Sequence, residues 1–212
     1  MRPHKFAIGF SAATAFMLAG CSGGDGTPST SPLPPFSTSQ TASEQALPYA
    51  GAPKVSMPFP EKIFTIDPCT DTLDADQTLK AVGKPAETKR VDAETVGPGC
   101  QWLNTMTGGQ AIMRFATKLK GGLSPIYENV KPKAEIWKPI SSLQGFPAVA
   151  YVTPSGGTPD RFCQLSIGAT DNTTIELTIN LGDTSRGKKD PCESANTVAD
   201  LVMTSLRAKA GV

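Results

Sequence analysis

Cys163-Gln164-Leu165-Ser166-Ile167 and Ile175-Glu176-Leu177-Thr178-Ile179-Asn180-Leu181 decide the fold of this chain. In both runs every second residue is apolar and the residues between are polar, the period of a strand with one face buried. Asp171-Asn172 supplies turn residues between them, so the two runs read as an antiparallel pair. Further out the pattern repeats. Cys100 and Trp102 point to one side of a strand, Gly108-Gly109 turns the chain, and Ala111 to Ala116 returns as a partner. Ile136 to Leu143 and Pro147 to Thr153 read as strands joined by the tight connection Gln144-Gly145-Phe146, with a short helix over Leu123 to Val130 before them. Ser155-Gly156-Gly157-Thr158-Pro159 is loop.

One tripeptide stands near each end of this strand-rich region, as Asp67-Pro68-Cys69 and Asp190-Pro191-Cys192. Each reads as a helix start, because Asp at the N-cap accepts from free backbone N–H groups and Pro at the next position lacks a donor that would go unpaired. After the second, Cys192, Ala195, Val198, Ala199, Val202 and Leu206 make one apolar stripe, and Arg207 and Lys209 suit the negative end of the dipole. After the first, Cys69 and Leu73 share a face, then Leu79 and Val82, and the helix ends at Gly83 with Pro85 beyond. The expected fold is α+β: an antiparallel sheet built from hairpins, with a short N-terminal and a long C-terminal helix packed on it.

The N-terminus assigns a location. Arg2, His4 and Lys5 precede an uncharged, largely apolar run from Phe6 to Ala19, which is a signal peptide over residues 1–20. That run is too short for a spanning helix, which needs about 20 apolar residues. Leu18-Ala19-Gly20-Cys21 matches the bacterial lipobox, so Cys21 is the expected lipidation site and the first residue of the mature chain. The alternative is an ordinary secretory signal with a cysteine at that position. Residues 21–60 carry eight prolines and few charges, and read as the lipidated cysteine followed by a disordered Pro/Ser/Thr-rich linker. Residues 61–212 remain as a single disulfide-bonded domain.

With Cys21 acylated, Cys69, Cys100, Cys163 and Cys192 are left, and four cysteines in an exported domain read as two disulfides. Three pairings exist. Sequential pairing, Cys69 to Cys100 and Cys163 to Cys192, staples a helix start to a strand in each case; a crossed pairing is the alternative.

Composition excludes several chemistries. The formal net charge of +1 becomes −1 when Arg2 and Lys5 leave with the signal, which gives no footprint for nucleic acid. The single histidine is His4, so the mature chain has no histidine base, nucleophile partner or metal ligand. Ser185-Arg186-Gly187-Lys188 has the Ser-x-x-Lys spacing of penicillin-recognising enzymes, but Gly187 and the cap at Asp190 place it in a loop, where that chemistry needs a helix. Asp67, Asp71, Asp74 and Asp76 lack calcium-loop spacing and suit the start of a helix. Lys118, Lys120, Lys131, Lys133 and Lys138, against Glu128 and Glu135, leave one region positive by three, which reads as a solvated face, the alternative being a face for anionic lipid or an acidic wall polymer.

A lipobox, a Pro/Ser/Thr linker, Asp67-Pro68-Cys69, Cys100-Gln101-Trp102, Gly145-Phe146-Pro147-Ala148, Cys163 in a strand and a closing Asp190-Pro191-Cys192 helix together resemble the actinobacterial lipoproteins of the domain of unknown function 3558 family. The resemblance implies a secreted, membrane-anchored α+β domain and brings no catalytic residues. The expected protein is a non-enzymatic envelope lipoprotein on the extracytoplasmic face of the membrane. It binds an envelope protein, lipid or wall polymer and uses no cofactor and no metal. The alternative is a wall or lipid hydrolase acting through carboxylates.

Overall fold

The computed structural model describes residues 45–212. The expected signal peptide, Cys21 and the linker as far as residue 44 lie outside the described residues. Seven strands, β1 (Ala86–Arg90), β2 (Gly99–Asn104), β3 (Gln110–Phe115), β4 (Ile136–Leu143), β5 (Phe146–Val152), β6 (Phe162–Gly168) and β7 (Thr174–Asn180), form one antiparallel sheet. The order is β1-β2-β3-β7-β6-β5-β4, so two meanders meet where β3 pairs with β7. Cys163 lies opposite Ile179, Leu165 opposite Leu177 and Ile167 opposite Ile175, which puts both alternating runs on one face.

That face is the core. The helix α3 (Pro191–Ala210) lies across it, and Ala195, Val198, Ala199, Val202, Met203 and Leu206 are all buried. Asp190 caps it, accepting from the N–H groups of Cys192 at 2.7 Å and Glu193 at 3.2 Å, and Gly211 closes it at φ 80°. Two disulfides pin loops and helices to this face, Cys69–Cys100 and Cys163–Cys192, with Cα atoms 5.0 and 5.1 Å apart. The pairing is the sequential one.

The expected N-terminal helix start is corrected. Asp67 accepts from Cys69 N–H at 2.7 Å and Thr70 N–H at 3.0 Å, but this cap opens a single turn, which Asp71 and Thr72 tie back to Asp67 and Pro68. The helix α1 (Ala75–Val82) starts at a second cap: Asp74 and Gln77 exchange side-chain bonds with each other's backbone N–H at 2.7 and 2.9 Å. Cys69 therefore joins a turn, not a helix, to β2.

The boundary at residue 60 also moves. Residues 45–60, expected as linker, lie against the domain, with Ala52, Val55 and Phe59 buried. Phe59 stacks on Phe146 at 4.4 Å and its N–H reaches Ala169 O at 2.9 Å; Val55 N–H reaches Asp171 Oδ1 at 2.8 Å. A proline-rich strap leaves few backbone donors to satisfy, and an apolar residue every three or four positions is enough to hold it. Part of this strap and the helix α2 (Ser124–Asn129) cover the β4–β5 half of the second face, around Val149 and Tyr151. Gln101, Ile112 and Thr178 lie in register on the other half of that face and are half-buried.

Candidate functional site

Side chains occupy the space between the sheet and α3. Leu165, Ile167 and Leu177 from the sheet meet Val202, Met203 and Leu206 from the helix in one buried cluster. Among the described residues the clefts open at the surface.

The residues that the sequence singled out are dispersed. Asp67 pairs with Arg90 at 2.6 Å, Asp71 with Lys209 at 2.8 Å, and Asp74 caps α1; Asp76 sits in the helix's first turn. Among the described residues no three His, Cys, Asp or Glu side chains are grouped to hold a metal ion. Ser185 and Lys188 lie in a turn, where Lys188 N–H donates to Ser185 O at 3.0 Å. The expected five-lysine face is not one surface. Lys138 alternates with Trp137 on β4 and so projects to the helical side, where it pairs with Asp190 at 2.6 Å. That bond, with the capped N–H groups, holds the Asp190 carboxyl below its ordinary range. Lys131 lies over the rings of Tyr127 and Trp137 at 5.3 and 5.9 Å. Lys118 and Lys120 are exposed in the loop after β3.

Two other arrangements come together only in the fold. On the second face, Ser166 Oγ donates to Glu176 Oε2 at 2.5 Å and Thr174 Oγ1 to Oε1 at 2.5 Å. The Tyr151 hydroxyl lies 3.3 Å from Ser166 Oγ. Burial pushes the Glu176 carboxyl above its ordinary range, against the two hydroxyl bonds that lower it. Burial, and then the Glu176 charge, raise the Tyr151 phenol, so it stays neutral. Tyr151 lines a cleft of about 580 Å³ beside α2, with Gln164, Asn129 and Lys133.

A larger cleft, of about 740 Å³, opens at the far end of β7, between the C-terminal end of α1, the β2–β3 turn and the loop that leads into α3. Lys80, Lys84, Lys188 and Lys189 line it, with Glu193 at its α3 side.

Residues 16–205 match the family model described as protein of unknown function (DUF3558). The chain belongs to this family. The match takes in Cys21 and all four cysteines of the two disulfides. No curated protein and no solved structure matches the chain. In this DUF3558 protein the lysines of the larger cleft are invisible to sequence reading, because Lys80 and Lys84 are more than a hundred residues from Lys188 and Lys189 and no local motif links them. Glu176 escaped differently. It is one of the polar residues in a correctly read alternating strand, and alternation marks a side chain as facing away from the core without saying what covers it.

Proposed function

We propose that this DUF3558 protein is a lipid-anchored lipoprotein of an actinobacterial envelope that binds a partner or ligand through its surface and catalyses no reaction. The filled core carries this reading, since a carrier of an apolar ligand needs a chamber of roughly 300–1,000 Å³ and this interior is packed with side chains. The lipobox at Cys21 and the lack of histidine after His4 support it. So does the engagement of Asp67, Asp71, Asp74 and Asp190 in caps and ion pairs. Intact mass of the membrane fraction tests the anchor: the mature chain should begin at an acylated Cys21, and Cys21→Ala should leave the protein soluble. An unacylated mass, or cleavage elsewhere, removes the anchor. Binding to panels of envelope lipids, wall fragments and extracted membrane proteins tests the rest, and uniform failure to exceed background counts against it.

Glu176 favours a second reading, hydrolysis through carboxylates, because a carboxyl with a raised pKa is what a general acid requires. Glycoside chemistry wants a second carboxyl opposite the first, whereas the groups bonded to the Glu176 oxygens are the hydroxyls of Ser166 and Thr174. Turnover of a wall or lipid substrate that Glu176→Gln abolishes without unfolding the protein would establish hydrolysis over binding.

A further inference from the structure

We infer that the cleft between α1 and α3 is a binding site for an acidic glycan, a polymer whose sugar units carry carboxylate or phosphate groups. The inference deepens the surface-binding reading above and rests on it. Lys80 and Lys84 come from the end of α1 and the residues after it, Lys188 and Lys189 from the loop before α3, and all four are exposed. None of the four forms an ion pair among the described residues. Of the two carboxylates at the cleft, Asp190 is committed to Lys138 and to two backbone N–H groups, so Glu193 alone faces four free cations. A concave wall of one sign focuses potential and draws in the opposite charge.

The rest of the lining suits hydroxyl groups. Thr107, Asn180, Thr184, Ser185 and Ser194 supply donors and acceptors between the lysines. This wall is held in place before any ligand arrives. A Cβ on Gly182 would meet Thr107 Oγ1 at 2.5 Å and Gly109 N at 2.9 Å, so two glycines let the β2–β3 turn and the lysine-bearing loop touch. Asp183 N–H then bonds Thr107 O at 3.0 Å, and Arg186 pairs with Asp160 at 2.7 Å. Preorganisation of this kind lowers the ordering cost of binding.

The strap and the cleft sit at different ends of the sheet. The strap that leads back toward Cys21 binds the β6–β7 turn, where Val55 N–H reaches Asp171. The cleft is built on Ile179, Asn180 and Leu181 at the opposite end of β7, about 20 Å away at the usual strand rise. Val55 and the cleft thus lie at opposite ends of β7.

Calorimetry on the full chain in a neutral detergent, with tetragalacturonate as probe, tests this. Tetragalacturonate should bind with an affinity that falls as salt is raised, and neutral maltotetraose at least about tenfold more weakly, about 1.4 kcal/mol. Lys188→Glu with Lys189→Glu, and separately Lys80→Glu with Lys84→Glu, should each weaken binding at least about tenfold. Lys131→Glu with Lys133→Glu, beside the smaller cleft, should leave it unchanged. Circular dichroism checks that each variant folds, and Lys→Gln pairs at the same positions replace any that does not. Equal affinity for maltotetraose, indifference to the cleft substitutions, or binding only to phosphatidylglycerol micelles would overturn the inference. Absence of tetragalacturonate binding would also overturn it, while capture of a different partner in the envelope panel would leave the surface-binding reading standing.

Discussion

Glu176 and Asp190 set opposite pH dependences. Burial raises the Glu176 carboxyl above its ordinary 4.5, so the folded state holds that proton more tightly than the unfolded chain. Its contribution is complete below about pH 4.5 and is lost as pH rises through the raised folded value. Glu176→Gln keeps hydrogen-bonding partners for Ser166 and Thr174 and removes the loss. Urea midpoints measured from pH 4 to pH 8 should therefore fall for the wild type relative to Glu176→Gln as pH rises; parallel curves would show that the carboxyl ionises without penalty. Asp190 runs the other way. The Lys138 bond lowers it, so its contribution is present above the ordinary 3.8 and is lost as pH falls through the lowered folded value. Asp190→Ala should cost about 0.5–2 kcal/mol through the lost cap of α3, and Asp190→Asn, which still caps, should cost less. Equal losses in the two variants, read from urea midpoints at neutral pH, would show that the ion pair and not the cap matters.

At the scale of elements, the strap of residues 45–60 is the part that most changes what the sequence means. Phe59 is 3 % exposed and stacked on Phe146, so Phe59→Ala should destabilise the domain by about 3–5 kcal/mol, read as a lower melting temperature. Limited proteolysis of the wild type should leave a fragment beginning near residue 45; trimming to residue 61 would show that the strap is not held. The strap is illegible because four prolines among few charges look the same in a linker and in a packed segment. Strand β1 was illegible for another reason. Glu87, Thr88, Lys89 and Arg90 are exposed on an edge, where charge blunts pairing with other chains and erases the alternation that marks half-buried strands. What could be read were elements whose apolar residues repeat at the element's own period, as in β6, β7 and α3. The Asp67-Pro68-Cys69 tripeptide carries a cap signal that a single turn satisfies as well as a helix does, and α1 starts only at Asp74. The cleft lysines are legible only as a product of the tertiary fold.

Across the whole molecule, each disulfide closes within one meander and the helices that belong to it, with separations of 31 and 29 residues. Cys192→Ser should cost about 2–5 kcal/mol, and it also leaves Cys163, 0 % exposed, as an unpaired thiol in the core. A melting temperature within a degree of the wild type would mean that core packing alone holds α3 in place. Between the meanders the β3–β7 pairing, the Gln77 contacts with Leu201 and Ser205, and the Lys209–Asp71 pair are all non-covalent. For a chain that crosses a membrane N-terminus first, this separation acts on time as well as on space. If the chain is exported as proposed, Cys69 and Cys100 reach the oxidising side before Cys163, and the order of arrival favours the sequential pairing. The long-range step of bringing β3 against β7 would then start from a chain whose first meander is already closed by its own bond.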